Sequence, residues 1–151
     1  MGGMARHDRL GRSRWCADAE RQRQFANVPG TEAALGRAGS HTVIADRPDG
    51  MAGGMGLGFN GAQLLALAIG GCFCNDLRYI SHRQGRRIAS ISVEVTLEME
   101  GDPLVATSVR MRVRCETEDG SDASDLVEEA GRGSMVGLSL PRGIAVTVTA
   151  G

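Results

Sequence analysis

The sequence predicts an α+β domain with an antiparallel sheet and one long, buried central helix. Three observations carry this. Residues 62–84 form a long segment whose first half is apolar on every side. Two runs after it alternate strictly between apolar and charged residues. The order of elements is strand, long helix, hairpin, helix, strand, which fits an antiparallel sheet with helices packed on it.

Residues 1 to about 36 read as a separate, polar, arginine-rich lead-in, with Arg6, Arg9, Arg12 and Arg14 near its start. It is either partly disordered or a short helix from about Ala17 to Phe25. The remaining domain, 37–151, opens with a strand at His41–Asp46, rich in β-branched residues and closed by the turn Pro48-Asp49-Gly50. A glycine-rich loop follows from Gly53 to Gly61. The helix then runs from Ala62 to about Gln84. Leu64, Leu65, Leu67, Ala68 and Ile69 predict that its first half is buried all round. Asn75, Asp76, Arg78, His82 and Arg83 predict that its second half emerges into solvent. Gly85 is the expected C-terminal stop.

The hairpin comes next. Ile91, Val93, Val95, Leu97 and Met99 alternate with Ser92, Glu94, Thr96, Glu98 and Glu100. After a Gly101-Asp102-Pro103 turn, Val109, Met111, Val113 and Cys115 alternate with Arg110, Arg112, Arg114 and Glu116. One face is apolar and the other sets glutamates against arginines, which supports pairing of the two runs. A second helix is expected from Asp122 to about Val136, with Asp122 and Asp125 favoured by the dipole of its first turn. Ile144–Thr149 is expected to close the chain as a strand. A helix this apolar in a chain of 151 residues also suggests that a second subunit covers it.

Composition narrows the chemistry. All 17 basic residues are arginine, against 18 acids, so lysine Schiff bases, a pyridoxal phosphate anchor and a P-loop lysine are excluded. A net charge of -1 argues against a nucleic-acid partner. The longest apolar run is too short to span a bilayer, and the arginines near the start precede no apolar run of a secretory signal. The expectation is a cytoplasmic protein, not bound to membrane, whose four cysteines are reduced thiols.

Few motifs carry chemistry. Gly56-Leu57-Gly58-Phe59-Asn60-Gly61 matches a dinucleotide-binding pattern but lacks the strand directly before it and the βαβ context, so it reads as a flexible loop. Cys72 and Cys74 stand two apart on a helix and point about 200° from each other, so no shared metal site is expected. Core burial of one or both thiols is the plain reading. No cofactor is expected. His7, His41 and His82 are scattered and read as surface or edge residues. Asp76 and Tyr79 share the helix face of Cys72. A carboxylate one turn away disfavours the thiolate unless an arginine neutralises it. Gly70 and Gly71 each cost a helix about 1 kcal/mol relative to alanine, which suggests close approach of a backbone or a ligand beside Cys72, with packing alone as the other explanation.

The stretch from Asn60-Gly61-Ala62-Gln63-Leu64-Leu65 to Gly70-Gly71-Cys72 resembles the start of the central helix in the OsmC/Ohr family of organic hydroperoxide reductases. The likeness continues through Leu77-Arg78-Tyr79, Arg83-Gln84-Gly85, the hairpin, Glu128-Glu129 and Arg142-Gly143-Ile144-Ala145-Val146-Thr147-Val148, covering about residues 38–150. It implies an intertwined homodimer in which two long helices pack together. It also implies a thiol peroxidase of the oxidative stress response. There a thiolate becomes a sulfenic acid and a second cysteine condenses with it.

By that resemblance Cys72 takes the peroxidatic position, and Arg37 is the comparable arginine. Ala62, with Gln63 beside it, stands where the activating glutamate belongs. Gly61 replaces a proline, and Ser134 stands where the resolving cysteine belongs. Asn75-Asp76 after Cys72-Phe73-Cys74 resembles a divergent branch of the family. The implied activity is a one-cysteine or weak peroxidase acting on a small organic hydroperoxide, with an external thiol as reductant. The alternative is a non-peroxidase binding or biosynthetic protein that holds an apolar small molecule in a dimer-interface pocket near Gln63, Cys72, Asp76, Tyr79 and Ser134.

Overall fold

A computed structural model describes residues 23–150. The chain divides into two compact units, residues 1–65 and 66–151.

The first unit is built on a three-stranded antiparallel sheet of β1 (Gln24–Asn27), β2 (Ala34–Ala38) and β3 (His41–Ala45), in that order. β1 and β2 are not among the strands read from sequence. The helix considered at Ala17–Phe25 lies largely outside the described residues, and its last two residues open β1. Phe25 pairs with Gly36, and its ring lies across that glycine: a Cβ there would stand 2.6 Å from the ring carbons. A two-residue turn joins β2 to β3, with Gly39 at φ 62°.

The glycine-rich segment is tethered to the end of β3. Phe59 donates its N–H to the Ile44 carbonyl, and the Phe59 carbonyl accepts from the Asp46 N–H, each at 3.0 Å. Asp46 is 8% exposed and accepts the backbone N–H groups of Arg47 at 2.8 Å and of Met55 and Leu57 at 3.1 Å. These bonds, that of Leu57 foremost, hold the Asp46 carboxyl below its ordinary pKa. A carboxylate thus takes two N–H groups of the loop whose pattern resembles a phosphate cradle. Gly58 has no room for a side chain, since a Cβ would fall 2.2 Å from the Ile44 carbonyl oxygen.

The central helix α1 spans Gly61–Arg83. Its start is a reciprocal cap: Asn60 donates its N–H to Gln63 Oε1 and Gln63 donates its N–H to Asn60 Oδ1, both at 2.9 Å. Its end is the expected glycine stop, with Gly85 at φ 67° and the Arg86 N–H bonded to the Ser81 carbonyl at 2.9 Å.

Burial along α1 departs from the sequence expectation. Leu67 is 55% exposed, whereas Ile69, Phe73, Leu77 and Ile80 are at most 3% exposed. The covered face is therefore a stripe that starts at Ile69, at positions spaced four, four and three apart, and before it Leu67 and Ala68 stand open while Leu64 and Leu65 are half-buried. Asp76, expected at the surface, is 2% exposed. The reason is geometric: Asp76 stands beside Leu77 on the helix, and that side is the one the second unit encloses.

In the second unit, β4 (Ile88–Glu100) pairs antiparallel with β5 (Val105–Thr117). The register places Ile91 opposite Cys115, Val93 opposite Val113, Val95 opposite Met111 and Leu97 opposite Val109. On the other face Arg112 meets Glu94 at 3.3 Å and Arg110 meets Glu98 at 2.5 Å. α1 lies against the apolar face. A Cβ on Gly70 would come 3.0 Å from Val95 Cγ2, so a strand side chain, rather than a backbone, accounts for that glycine. Gly71 faces open space.

The second helix is shorter than expected and broken. α2 (Ser124–Gly133) ends at Ser134, whose ψ of 120° is extended, and α3 (Met135–Ser139) follows. Leu126 and Ala130 of α2 are fully buried. Arg83 bonds Glu129 at 2.5 Å and Arg86 bonds Asp125 at 2.8 Å, tying the end of α1 to α2. After a short 3-10 turn at Leu140–Arg142, residues 143–150 form no strand. Among the described residues no strand pairs with the expected closing strand, so residues 143–150 are not a strand. Ile144, Val146 and Val148 are left 66%, 83% and 89% exposed.

The loop between β5 and α2 carries an acid-sensitive lock. The Ser121 hydroxyl, then its N–H and the Thr117 hydroxyl, hold Asp119 down to a pKa of about 2. A carboxyl lowered on folding stabilises the fold above its ordinary value near 3.8, and this contribution is lost as the pH falls through about 2. Thermal unfolding between pH 5 and 2 should therefore show a steeper acid-side fall for the native chain than for Asp119→Asn. Parallel curves for the two would show that this carboxylate does not stabilise the loop.

Candidate functional site

The second unit brings three of the sequence-predicted residues together. Cys72 lies in the middle of α1 and is half-buried. One turn on, Asp76 receives the Cys72 S–H at Oδ2, with sulfur and oxygen 3.8 Å apart. From the break between α2 and α3, Ser134 donates its hydroxyl to Cys72 Sγ at 3.7 Å. Asp76 and Ser134 are 2% and 3% exposed.

The local sequence explains each placement. Residues four apart on a helix stack on one face, which sets Asp76 beside Cys72. Ser134 closes α2: its N–H bonds the Ala130 carbonyl at 2.9 Å, and its carbonyl accepts the Leu138 N–H at 2.9 Å. With its backbone fixed on both sides, the side chain projects at the kink. Gly137 leaves the space beside it open, since a Cβ there would sit 3.5 Å from that of Ser134.

Tyr79 is half-buried on α1. Gln63 is exposed and engaged in the helix cap. Arg37 is exposed on β2 in the first unit, where it borders an open, mostly apolar recess of about 230 Å³ with Phe25, Gly36, His41 and Val43. Cys74 is half-buried. Cys115 borders a recess of about 510 Å³ with Asp122, Ser124, Val127 and Glu128. Burial pushes its thiol pKa up, against the opposing pull of Arg78 and Arg86. Cys72, Cys74 and Cys115 are all free thiols.

Spacing alone identified Asp76 as a neighbour of Cys72. It offered nothing for Ser134, 62 residues away, which only the family resemblance singled out. Asp46 was missed as the anchor of the glycine-rich loop. An aspartate ending a strand just before a glycine-rich run was the available signal, since such side chains bond nearby backbone N–H groups.

What the cluster can do follows from its groups. Sulfur is the nucleophile, a carboxylate stands on the side of its proton, and a hydroxyl donates to it from another element.

Comparison with known proteins agrees on the fold. The family model described as OsmC-like protein matches residues 53–149. No curated protein matches the chain. Among solved structures, an OsmC-like protein of unknown function from Vibrio cholerae O1 biovar eltor is 9% identical, with a TM-score of 0.66 over 78% of this chain and 90% of that one. An OsmC-like protein from Mycoplasma pneumoniae is 11% identical, with a TM-score of 0.65 over 80% and 86%. An organic hydroperoxide resistance protein OsmC from Legionella pneumophila is 16% identical, with a TM-score of 0.55 over 78% and 85%. No helix among the described residues is long and apolar enough to cross a membrane.

Proposed function

The chain belongs to the OsmC-like family, and from that premise we propose that it reduces small organic hydroperoxides through Cys72 in a one-cysteine cycle. The observation that carries this reading is the 3.7 Å approach of Ser134 to Cys72. The residue standing where the family places its resolving cysteine reaches the thiol, and it is a serine. This supports reading the cluster as a two-cysteine site with one of its sulfurs replaced by oxygen.

In this cycle the Cys72 sulfur attacks the peroxide, giving a sulfenic acid and an alcohol. Ser134 has no sulfur to condense with it. An external low-molecular-weight thiol therefore forms a mixed disulfide with release of water. A second such thiol returns Cys72 to the reduced state and leaves as the disulfide.

The reading includes a homodimer. Leu67 in the first half of α1 is exposed and belongs to an apolar surface that a second copy would cover. Ile144, Val146 and Val148 form a second such surface on an extended segment. Arg37 is carried over by family likeness as the cation that favours the thiolate.

Titration with cumene hydroperoxide, followed by dimedone trapping and mass mapping of every cysteine, tests the reading. Cys72 should carry the sulfenic adduct at about one equivalent of peroxide, and Cys72→Ser should abolish peroxide consumption. An unmodified Cys72 under excess peroxide overturns the proposal.

A further inference from the structure

We propose that Asp76 is the proton acceptor for Cys72 and that Ser134 is the hydrogen-bond donor that holds the sulfur toward the peroxide. This rests on the reading of Cys72 as the reacting thiol and assigns how that thiol is activated where Ala62 stands in place of the family's glutamate.

The two bonds to the sulfur run in opposite senses. The thiol donates to Asp76 Oδ2 at 3.8 Å and accepts from Ser134 Oγ at 3.7 Å. The first directs the proton away from the sulfur. The second stabilises the charge left on it, and then the oxygen of the sulfenic acid. Both partners are nearly fully buried, at 2% and 3% exposure, whereas Cys72 keeps an opening to solvent. A buried carboxylate is costly unless polar groups face it. The Cys72 thiol is one of the polar groups that face Asp76, which sets a proton acceptor directly beside the sulfur.

The step balances. The sulfur lone pair attacks the terminal peroxide oxygen, the S–O bond forms and the O–O bond breaks. Sulfur loses two electrons and the peroxide gains them. The thiol proton passes to Asp76 Oδ2 and from there to the departing alkoxide, so that Cys72 becomes the sulfenic acid, the peroxide becomes an alcohol, and Asp76 ends as the carboxylate it began as. General-base assistance of this kind is worth on the order of 100-fold at its lower end.

The test compares Asp76→Asn, Asp76→Glu and Ser134→Ala with the native chain, using two probes on each. Cumene hydroperoxide reads sulfenic acid formation and iodoacetamide reads nucleophilicity of the same sulfur without a peroxide. Circular dichroism establishes folding. Asp76→Asn should slow both reactions about 100-fold, with Asp76→Glu restoring at least a tenth of the native rate. Ser134→Ala should slow both about tenfold, the worth of one hydrogen bond.

An Asp76→Asn chain that reacts as fast as the native one, or faster, overturns the assignment, because the carboxylate then only repels the thiolate. If Asp76→Asn does not fold, Ser134→Ala decides, and an unchanged rate there overturns the arrangement. Native Cys72 that ignores the hydroperoxide but is alkylated in an Asp76-dependent way sinks the peroxidase reading and leaves the proton acceptor standing. Ready oxidation that is independent of Asp76 does the reverse.

Discussion

Ser134→Cys is expected to convert the site into a two-cysteine centre, in which one equivalent of organic hydroperoxide closes a disulfide to Cys72. The Ser134 hydroxyl already stands 3.7 Å from the Cys72 sulfur. A disulfide needs about 2.05 Å, so the introduced sulfur must close by somewhat under 2 Å. The position allows this. Ser134 lies at a break with extended ψ, between Gly133 and the open side of Gly137, so neither helix has to unwind. The chemistry is that of the proposed cycle with the external thiol made internal: the sulfenic acid loses water to the introduced thiol.

The expected readout is a mass two hydrogens below the dithiol, with dimedone trapping suppressed at least tenfold. Such a link would close a loop across 62 residues, which chain entropy values at roughly 4 kcal/mol against the reduced form. Peroxide treatment that leaves Cys72 as sulfenic or sulfinic acid, with no disulfide, would show that the kink holds the two positions too rigidly apart.

The outcome bears on how far this site was legible in sequence. Asp76 was placed beside Cys72 by helical spacing alone, because an i, i+4 relation depends only on the helix. The burial of Asp76 was not, since helix geometry says which residues share a face and not which face another element covers. Ser134 needed information that no local pattern holds. Its approach to Cys72 depends on where α2 breaks, and the break falls inside a segment that reads as one continuous helix from Asp122 to Val136. Gly133 and Ser134 end that helix in a way that propensity ranks only weakly against its apolar periodicity.

The fold divides along the same line. The β4–β5 hairpin was readable in its pairing and its two faces, because period-two alternation and the glutamate–arginine face fix which side is buried. The register, with its irregularities at Ile88/Ser90 and Glu98/Met99, was not, since a shift of two residues keeps the same faces. The cap at Asn60 and the stop at Gly85 follow from local chemistry. The expectation at residues 144–149 failed for the opposite reason. The alternation of Ile144, Val146 and Val148 is real, but a strand also needs a neighbour, and none of the described residues pairs with it. The exposed Leu67 of α1 carries the same lesson. An apolar sequence states that a surface will be covered and is silent on which chain covers it.

Leu77→Ala should cause the largest loss of stability among single core substitutions in the second unit. Leu77 is 0% exposed, as are Ile80 on the same helix and Leu126 on α2. Truncating it removes three carbons from a site with no access to solvent, where the loss is a transfer term plus a cavity term. The expected cost is about 2–5 kcal/mol, a large share of the total for a domain of ordinary stability. The neighbouring residues offer little relief. Arg78 beside Leu77 donates to the Ile88 carbonyl at 2.9 Å and so ties this part of α1 to β4, which limits how far the helix can settle into the void.

Leu104→Ala is the matched control, because Leu104 is 67% exposed, and the same truncation there should fall within about 0.5 kcal/mol. Urea unfolding followed by far-ultraviolet circular dichroism distinguishes the two. Because Leu77 lies one residue beyond Asp76 and five beyond Cys72, its truncation should also loosen the geometry at the sulfur. The iodoacetamide rate of Cys72 is then expected to change in Leu77→Ala and to stay unchanged in Leu104→Ala. Equal midpoints for the two variants would mean that the second unit does not draw its stability from the buried face of α1, and the placement of the reactive cluster on that face would lose its physical basis.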